Sequence, residues 1–273
     1  MRAAAIQMTA AASVAPNLAR ARELLEQAAR AGAQLAVLPE NFALMARREQ
    51  DRRDIAEDDG DGPIQAMLAK AAHELRLTLV GGTVPLRVPG EKRVAPASLV
   101  YGPDGARLGR YDKIHLFDVD VPGAAESHRE SAAMVPGRTV TVLDTPAGRL
   151  GIAVCYDLRF PELFRRMAQQ GADCFVVSAA FTVPTGQAHW DLLNRARAVE
   201  NLCHLAVAAQ VGQHENGRRT YGHSMVVDCW GGVVDVLPEG EGVAVGEVDL
   251  ERQARIRREF PALEHRVLDW LGG

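Results

Sequence analysis

The 273-residue chain has few cysteines, no excess of basic charge and no long apolar run. Its 31 lysines and arginines stand against 35 aspartates and glutamates, and this net charge of −4 argues against a surface that follows nucleic-acid phosphates. The four cysteines, Cys155, Cys174, Cys203 and Cys229, include no Cys-x-x-Cys pair, so neither a disulfide scaffold nor a metal site is predicted. No apolar run approaches the roughly 20 residues that cross a bilayer. We therefore expect a reduced, cytoplasmic protein that binds neither nucleic acid nor membranes.

The chain also lacks internal repeats and linkers rich in serine and glycine, which favours a single domain over residues 1–273. Helical periodicity predicts helices over 63–75 and 187–201, and strand patterns around turns predict hairpins over 97–111 and 139–154. About eleven strands are expected, more than a single twisted sheet holds comfortably. The fold class is therefore mixed α/β. Two sheets packed face to face with helices outside would accommodate it, although periodicity alone does not fix that architecture.

Glu40 directly follows Pro39 and the buried strand pattern over 35–38. Functional sites collect at the carboxyl ends of strands in α/β sheets. A partly desolvated carboxyl at such a place has a raised pKa and can act as a base. The alternative, a glutamate that caps a helix or lies in a loop, stays open on the local sequence.

Lys113 lies in the segment YDKIHLF, residues 111–117, at the end of a predicted strand. An ammonium group there would place a fixed positive charge beside a developing oxyanion. A solvated lysine is the alternative, and the local sequence does not decide between the two.

Cys155 ends the apolar pattern LGIAV, residues 150–154, and lies shortly before a helix predicted over 161–171. The beginning of a helix and a nearby cation both favour the thiolate form of a cysteine. Most isolated cysteines are inert core residues. The order of strand, cysteine and helix leaves a nucleophile and a core cysteine equally open.

Together, these three segments resemble the motifs of the nitrilase superfamily of carbon–nitrogen hydrolases, a family defined by a Glu-Lys-Cys triad. The family's glutamate motif is similar to LPE at 38–40, its lysine motif to YDKIH at 111–115, and its cysteine motif to VCYDLRFPE at 154–162. The motifs also come in the family's order. The resemblance extends from Ala5 to about Arg266.

The resemblance implies a four-layer α-β-β-α sandwich that is a homodimer or a higher homo-oligomer, usually formed through one helical layer. It implies that Cys155 attacks an amide carbonyl, while Glu40 takes the thiol proton, donates it to departing ammonia and then activates water. Lys113 and the backbone N–H of Tyr156 would hold the oxyanion. No metal or organic cofactor is implied.

Many members of the family carry a second glutamate before a Pro-Gly turn that precedes a strand. Glu130 matches that glutamate by its spacing from Pro136-Gly137. The resemblance implies that it orients Lys113 or the substrate amide. A charged loop residue is the alternative.

Within the superfamily, the chain is similar to the Nit branch of deaminated glutathione amidases and omega-amidases, which act on 2-oxo acid amides that carry a carboxylate. This similarity implies that Arg159, four residues after the cysteine, binds that carboxylate, and a guanidinium is its natural bidentate partner. It also implies that Phe181 packs on the substrate. The alternatives are a salt bridge for Arg159 and a core position for Phe181. Four segments carry the similarity: 178–182, 185–190, 195–201 and 221–228.

The sequence therefore predicts an amidase that forms a thioester on cysteine and releases ammonia from a small carboxylate-bearing amide, with deaminated glutathione as the first candidate substrate. An omega-amidase that acts on 2-oxoglutaramate is the alternative within the same class. A non-catalytic binding scaffold is the alternative from another class, and the intact Glu-Lys-Cys pattern disfavours it.

Overall fold

The computed structural model describes residues 1–121 and 127–267, and in these ranges the chain forms sixteen strands, six α-helices and two 3₁₀ turns. The helices are α1 Val14–Arg30, α2 Glu49–Asp54, α3 Pro63–Leu75, α4 Pro161–Gln169, α5 Val183–Asn201 and α6 Leu250–Glu259. The 3₁₀ turns are Glu130–Ala132 and Cys155–Arg159. The strands are β1 Arg2–Met8, β2 Leu35–Val37, β3 Thr78–Val80, β4 Val84–Arg87, β5 Val94–Tyr101, β6 Arg107–Asp112, β7 Asp118–Asp120, β8 Ser127–Arg129, β9 Val142–Thr145, β10 Gly148–Val154, β11 Cys174–Ala179, β12 His204–Gln213, β13 Arg219–Tyr221, β14 Ser224–Val227, β15 Val233–Leu237 and β16 Gly242–Glu247.

The strands form two half-sheets joined at one end. The first has the order β6-β5-β3-β2-β1-β16, with β4 continuing β3 along β5, and the second has the order β9-β10-β11-β12-β14-β15. They join where Gln7 and Met8 of β1 pair with Ala209 and Gln210 of β12. Elsewhere β1 pairs with β16 and β12 with β14, so the half-sheets separate from one another.

Side chains of β1 alternate between two hydrophobic cores because successive strand residues point to opposite faces. Ala3 and Ala5 face a core shared with the second half-sheet, and Ala4 and Ile6 face a core shared with α1 and α3. The prediction of two facing sheets with helices on their outer sides is therefore confirmed. In the described part of the chain, no helix is both long and apolar enough to span a bilayer.

Helices cover the outer faces through apolar stripes at helical spacing. In α1 the stripe is Ala21, Leu24, Leu25 and Ala28, all buried against the first half-sheet. On the second half-sheet, Phe164 of α4 packs edge-on against Phe175 of β11, with ring centroids 5.2 Å apart. This is the helix–sheet–sheet–helix order of a four-layer sandwich.

Both predicted hairpins are confirmed: β5 pairs antiparallel with β6, and β9 with β10. The predicted helix over 63–75 is confirmed, whereas α5 begins at Val183 rather than at residue 187. Pro184 lies in the first helical turn, where proline is accommodated, so the helix begins before Gly186. The polar helices α2 and α6 were not predicted because they carry no apolar stripe.

The connection between β3 and β4, residues 81–83, supports the segment around Glu40. Gly82 in this connection has φ +58°, and a Cβ built on it would lie 2.3 Å from the carbonyl oxygen of Pro39. Beside it, the Thr83 hydroxyl accepts a hydrogen bond of 2.9 Å from the N–H of Asn41. The position therefore requires glycine for its backbone conformation and for the close approach of Pro39.

We expect Gly82→Ala to lower the free energy of unfolding by about 2–4 kcal/mol, because it combines a left-handed backbone with a steric clash. Gly90→Ala is the matched control, since Gly90 has φ +78° but nothing within 4 Å of a built Cβ. Gly90→Ala should lower the free energy of unfolding by only about 1–2 kcal/mol. Urea unfolding of both variants measures the difference, and equal losses would contradict the role given to the Pro39 contact.

Candidate active site

The segments that follow β2, β6 and β10 meet at one edge of the sandwich. β2 is parallel to β1 and to β3, β1 is parallel to β12, and β12 to β11 and β10, so these strands end on the same side. β6 has the direction of β3, because both are antiparallel to β5. This edge therefore receives Glu40, Lys113 and Cys155 from distant parts of the chain, as the carboxyl ends of parallel strands do in α/β folds.

The Lys113 ammonium lies between two carboxylates. Its Nζ donates to Glu40 Oε1 at 2.8 Å and to both oxygens of Glu130, at 2.9 and 2.8 Å. The lysine side chain is only 1% exposed. Glu130 also accepts a hydrogen bond of 2.6 Å from the N–H of Phe117. Glu130 therefore fixes both the ammonium and the chain that follows it.

Cys155 lies at the sharp turn between β10 and the 3₁₀ turn that begins with it. Its φ is +48°, an unusual value for a residue with a side chain. Such a strand-to-helix corner lifts the thiol off the end of the strand toward the converging groups, as the nucleophile elbow of α/β-hydrolases does for its serine. The thiol interacts with the Glu40 carboxylate and with the backbone of Ala180.

Asp157 holds this turn to the segment around the lysine. Its carboxylate accepts hydrogen bonds from the Tyr111 hydroxyl (2.7 Å), the Val154 N–H (2.8 Å) and the His115 N–H (3.2 Å). The His115 ring Nδ1 lies 2.7 Å from the same carboxylate and must donate, because a carboxylate only accepts. Asp157 is fully buried, and its contacts fix the distance between the cysteine and lysine segments.

The electrostatics of the site differ from the prediction at two residues. Burial by itself raises the pKa of Glu40, but the Lys113 charge and the hydrogen bonds that Glu40 receives outweigh it, so the pKa is lowered, and the predicted rise was wrong. Burial and the negative charge of Glu40 raise the pKa of Cys155 well above that of an ordinary thiol, although Lys113 acts in the opposite direction. The expectation of a favoured thiolate was therefore wrong too. Burial also opposes the charge of Lys113, but the two carboxylates keep its pKa raised.

The resulting ground state has an ionised Glu40, a charged Lys113 and a neutral Cys155 thiol. A carboxylate in contact with a thiol can remove its proton when the sulfur attacks an electrophile. A neighbouring ammonium can stabilise negative charge that develops on that electrophile. The arrangement suits nucleophilic catalysis with general-base assistance.

Two small pockets meet at Cys155 and Phe117. The Glu40 pocket has a volume of about 130 Å³, and the Arg159 pocket has about 10 Å³, barely the space of one water molecule. The Glu40 pocket is lined by Glu40, Asn41, Arg52, Lys113, Phe117, Ser127, His128, Arg129, Glu130, Cys155 and Arg218. The Arg159 pocket is lined by Phe117, Cys155, Tyr156, Arg159, Ala180, Phe181, Thr182 and Thr185.

Arg159 has no carboxylate partner among the residues of 1–121 and 127–267. Its guanidinium carbon lies 5.3 Å from the Phe181 ring centroid and 5.9 Å from that of Tyr156, and its Nη1 lies 3.2 Å from Nδ1 of His189. The salt bridge considered as an alternative for Arg159 is therefore absent from these ranges. Phe181 is both a wall of the pocket and a buried neighbour of Trp190, 4.9 Å away between centroids.

Tyr156 is the second residue of the 3₁₀ turn Cys155–Arg159. The first N–H groups of a helical turn have no partner within that turn and can receive an anion. The Tyr156 ring packs edge-on against the Phe117 ring, with their centroids 5.1 Å apart. The structure thus places every predicted site residue around Cys155 or Lys113.

Sequence reasoning did not identify Asp157, His115 or Arg218 as parts of the site. Asp157 and His115 lie inside the quoted motifs, so their neighbours in the sequence were a usable signal. Arg218 lies in a turn near the other end of the chain and carries no local signal. Within the described ranges, no group of three or more metal-binding side chains is present.

Comparisons with known proteins agree with this geometry. A family model described as carbon–nitrogen hydrolase matches residues 2–258. The chain is 40% identical to a deaminated glutathione amidase of Synechocystis over 97% of each chain, and 37% identical to an omega-amidase of Mus musculus over 98% of this chain and 95% of the relative. The solved structure of the C. elegans NitFhit protein superposes with a TM-score of 0.90 at 34% identity. The match covers 97% of this chain and 65% of that protein, which is therefore substantially longer.

We expect Glu40→Gln to lower the pKa of Cys155, because it removes the negative charge that disfavours the thiolate. Thiolate absorbance near 240 nm, titrated against pH and corrected with Cys155→Ser, measures this shift. Glu162→Gln, at an exposed position at the start of α4, is the control and should leave the titration unchanged. An unshifted titration in Glu40→Gln would contradict the contact between the two side chains.

Proposed function

Since this chain belongs to the carbon–nitrogen hydrolase family, we propose that it is an amidase, a single hydrolase domain that cleaves 2-oxo acid amides through a thioester on Cys155. One observation carries the proposal: the Lys113 ammonium, 2.8 Å from Glu40, lies beside a buried cysteine that interacts with the same carboxylate. These are the groups that a cysteine amidase needs, namely a nucleophile, a base and a positive charge for the oxyanion.

In the first half-reaction, the Cys155 sulfur attacks the amide carbonyl carbon while Glu40 accepts the thiol proton. The carbonyl oxygen becomes an oxyanion, which the Lys113 ammonium and the Tyr156 N–H stabilise. Glu40 then donates the proton to the amide nitrogen, the C–N bond breaks and the amine leaves. The raised pKa of Cys155 supports this order, because the thiol keeps its proton until Glu40 takes it.

In the second half-reaction, Glu40 takes a proton from water as the water oxygen attacks the thioester carbonyl. The same two donors stabilise the second oxyanion, and the C–S bond then breaks with return of the proton to the sulfur. Glu130 holds the Lys113 ammonium through both of its carboxylate oxygens and keeps it in place in both steps. Glu130 acts as a positioning residue in this scheme.

For the substrate, we assign the acyl side to the Arg159 pocket. Arg159 has a guanidinium without a carboxylate partner in the described ranges, and Phe181 provides an apolar wall below it. A 2-oxo acid carboxylate would pair with such a guanidinium in bidentate fashion. Because the pocket holds only about 10 Å³, the Arg159 side chain must move off the two aromatic rings when the substrate enters.

Deaminated glutathione is the favoured substrate, since the relatives of 40% identity bear the name of its amidase. Its scissile nitrogen belongs to the cysteinylglycine portion, so the leaving amine is this dipeptide. The predicted release of ammonia therefore does not apply to deaminated glutathione, and ammonia is the product only with 2-oxoglutaramate. The omega-amidase similarity keeps 2-oxoglutaramate as the second candidate substrate.

Both substrates yield 2-oxoglutarate as the acyl product, so one assay for 2-oxoglutarate compares their kcat/KM values directly. We expect the wild type to turn over both and to prefer deaminated glutathione. Cys155→Ala should lose at least about 10³-fold in rate, because no other group forms the thioester. Arg159→Gln should lose about 10–100-fold in kcat/KM on both substrates, mainly through KM, because both carry the 2-oxo acid carboxylate.

Arg30→Gln, on the exposed side of α1, is the matched control for Arg159→Gln and should behave as the wild type. Turnover that survives in Cys155→Ala would overturn the mechanism. Failure of the wild type to hydrolyse any amide in a broad panel would favour the non-catalytic scaffold instead.

We also propose that the protein is a homodimer joined through its α4–α5 layer, and that it works in the cytoplasm. Leu192 and Val199 of α5 are 67% and 43% exposed and, seven residues apart, lie on one helix face. Trp230, beside Val199 across Gly231, is 50% exposed. A second copy that covers this apolar face would remove it from water. The four free thiols support a reducing compartment.

Sedimentation equilibrium at micromolar concentration should therefore give a dimer for the wild type and a monomer for the double variant Leu192→Asp, Val199→Asp, because buried unpaired charges oppose association. Val234→Asp, at a 45% exposed position on β15, is the control and should remain dimeric. A monomeric wild type, or a double variant that stays dimeric, would exclude this interface.

A further inference from the structure

We propose that Arg218 is a specificity-determining residue that binds a carboxylate on the leaving-group side of the scissile amide. This inference rests on the proposed function and assigns to the same site a second anion-binding group, opposite Arg159. Its substrate class is a 2-oxo acid amide whose amine portion ends in a carboxylate, as a peptide does.

Arg218 is held in place by the turn between β12 and β13. Its backbone N–H donates to the Asn216 side chain at 3.0 Å, and its carbonyl oxygen accepts from the N–H of His214 at 2.9 Å. Asn216 in turn donates to the carbonyl oxygen of Ala46 at 2.9 Å. The backbone of Arg218 is therefore fixed before any substrate binds.

The guanidinium of Arg218 is directed toward the reacting groups. Its Nη2 donates to the carbonyl oxygen of Ala180, a residue that lines the Arg159 pocket together with Cys155. Its positive charge lowers the pKa of Glu40. Arg218 thus lies close enough to both catalytic candidates to affect a group bound between them.

The Arg218 guanidinium has a hydrogen-bond donor that no acceptor satisfies in the described part of the chain. This donor is Nε, and it is buried. Over the same ranges, no carboxylate forms an ion pair with Arg218. A buried donor without an acceptor is costly. A carboxylate that pairs with the guanidinium in bidentate fashion would satisfy it once the side chain turns its Nε toward the pocket.

The position of Arg218 identifies the side of the substrate that it meets. It lines the Glu40 pocket, whereas Arg159 lines the other pocket at Cys155. Glu40 delivers the proton to the departing amine, so the amine portion must occupy the Glu40 pocket. Arg52 and Arg129 also line this pocket, but Arg129 is paired with Asp120 at 2.9 Å and Arg52 has partners of its own within the protein. Arg218 is therefore the better partner for an anion carried by the leaving group.

This arrangement distinguishes the two candidate substrates. Deaminated glutathione carries one carboxylate on its acyl portion and another at the end of its cysteinylglycine portion. The two residues of that dipeptide span at most about 7 Å. 2-Oxoglutaramate has only the acyl carboxylate. One guanidinium on each side of Cys155 matches the two carboxylates of deaminated glutathione. With 2-oxoglutaramate, Arg218 would have no carboxylate to bind.

The test compares deaminated glutathione with its C-terminal amide, which differs only in the leaving-group carboxylate. We expect the wild type to prefer the acid by at least about tenfold in kcat/KM, the size of effect of a charge-assisted hydrogen bond. Arg218→Gln should reduce this preference to about twofold or less, with the change in KM. Arg218→Lys should retain an intermediate preference, because it keeps the charge without the bidentate geometry.

Arg219→Gln changes the neighbouring exposed arginine and should keep the wild-type preference. Equal losses on the acid and the amide in Arg218→Gln would assign Arg218 a structural role and overturn the inference. A wild type that hydrolyses deaminated glutathione without preferring the acid would overturn it as well, while leaving the proposed function intact. A wild type that hydrolyses no 2-oxo acid amide would overturn the proposed function and this inference with it.

Discussion

The buried Lys113 ammonium between Glu40 and Glu130 is the constraint on which the site depends. Removing a charge from water is costly, and the cost is offset only when partners are close and their geometry is good. Three hydrogen bonds of 2.8–2.9 Å satisfy the ammonium. These bonds join three separate parts of the chain, so displacing any one of them would leave a buried charge without compensation. The three side chains are therefore held in place, because moving any one of them would leave a buried charge unpaired.

The same ion cluster explains why the nucleophile is neutral. Lys113 alone would favour a thiolate, but two carboxylates share its charge, and the negative charge of Glu40 acts on the sulfur. A stable thiolate would react with many electrophiles, whereas a thiol that ionises only during attack reacts where its base and oxyanion donors are aligned. Asp157 keeps the base and the oxyanion donors aligned with the sulfur, since its carboxylate links the cysteine turn to Tyr111 and His115 on either side of Lys113.

The sequence was informative where apolar spacing or motif order carried the signal. Apolar spacing predicted α3 and both hairpins, whereas the four layers and the roles of the triad were implied by the family resemblance that the three motifs carry. Helix α6 escaped prediction because Gln253 is its buried residue, held by a bond from the His204 N–H and one to the Asp173 carbonyl oxygen. Its burial is polar, and hydrophobic periodicity does not detect polar burial.

The pKa directions could not be read from the sequence for a related reason. Glu40 and Lys113 are 73 residues apart, and local patterns place each of them at a strand end without giving the distance between them. That distance reverses the sign of the shift, since an isolated buried carboxyl has a raised pKa and one 2.8 Å from an ammonium has a lowered pKa.

In the proposed function, chemistry and specificity rest on different kinds of structure. Glu40, Lys113 and Cys155 follow strands of the two half-sheets, and their buried hydrogen bonds resist displacement. Arg159 and Arg218 lie instead in a 3₁₀ turn and in a strand connection, where the chain can change without disturbing the sheets. An exchange of arginine at either place would change which amides bind while keeping the three triad side chains, although loss of the Arg218 charge would also weaken the lowering of the Glu40 pKa. Such a division allows one fold to serve amides of different size and charge.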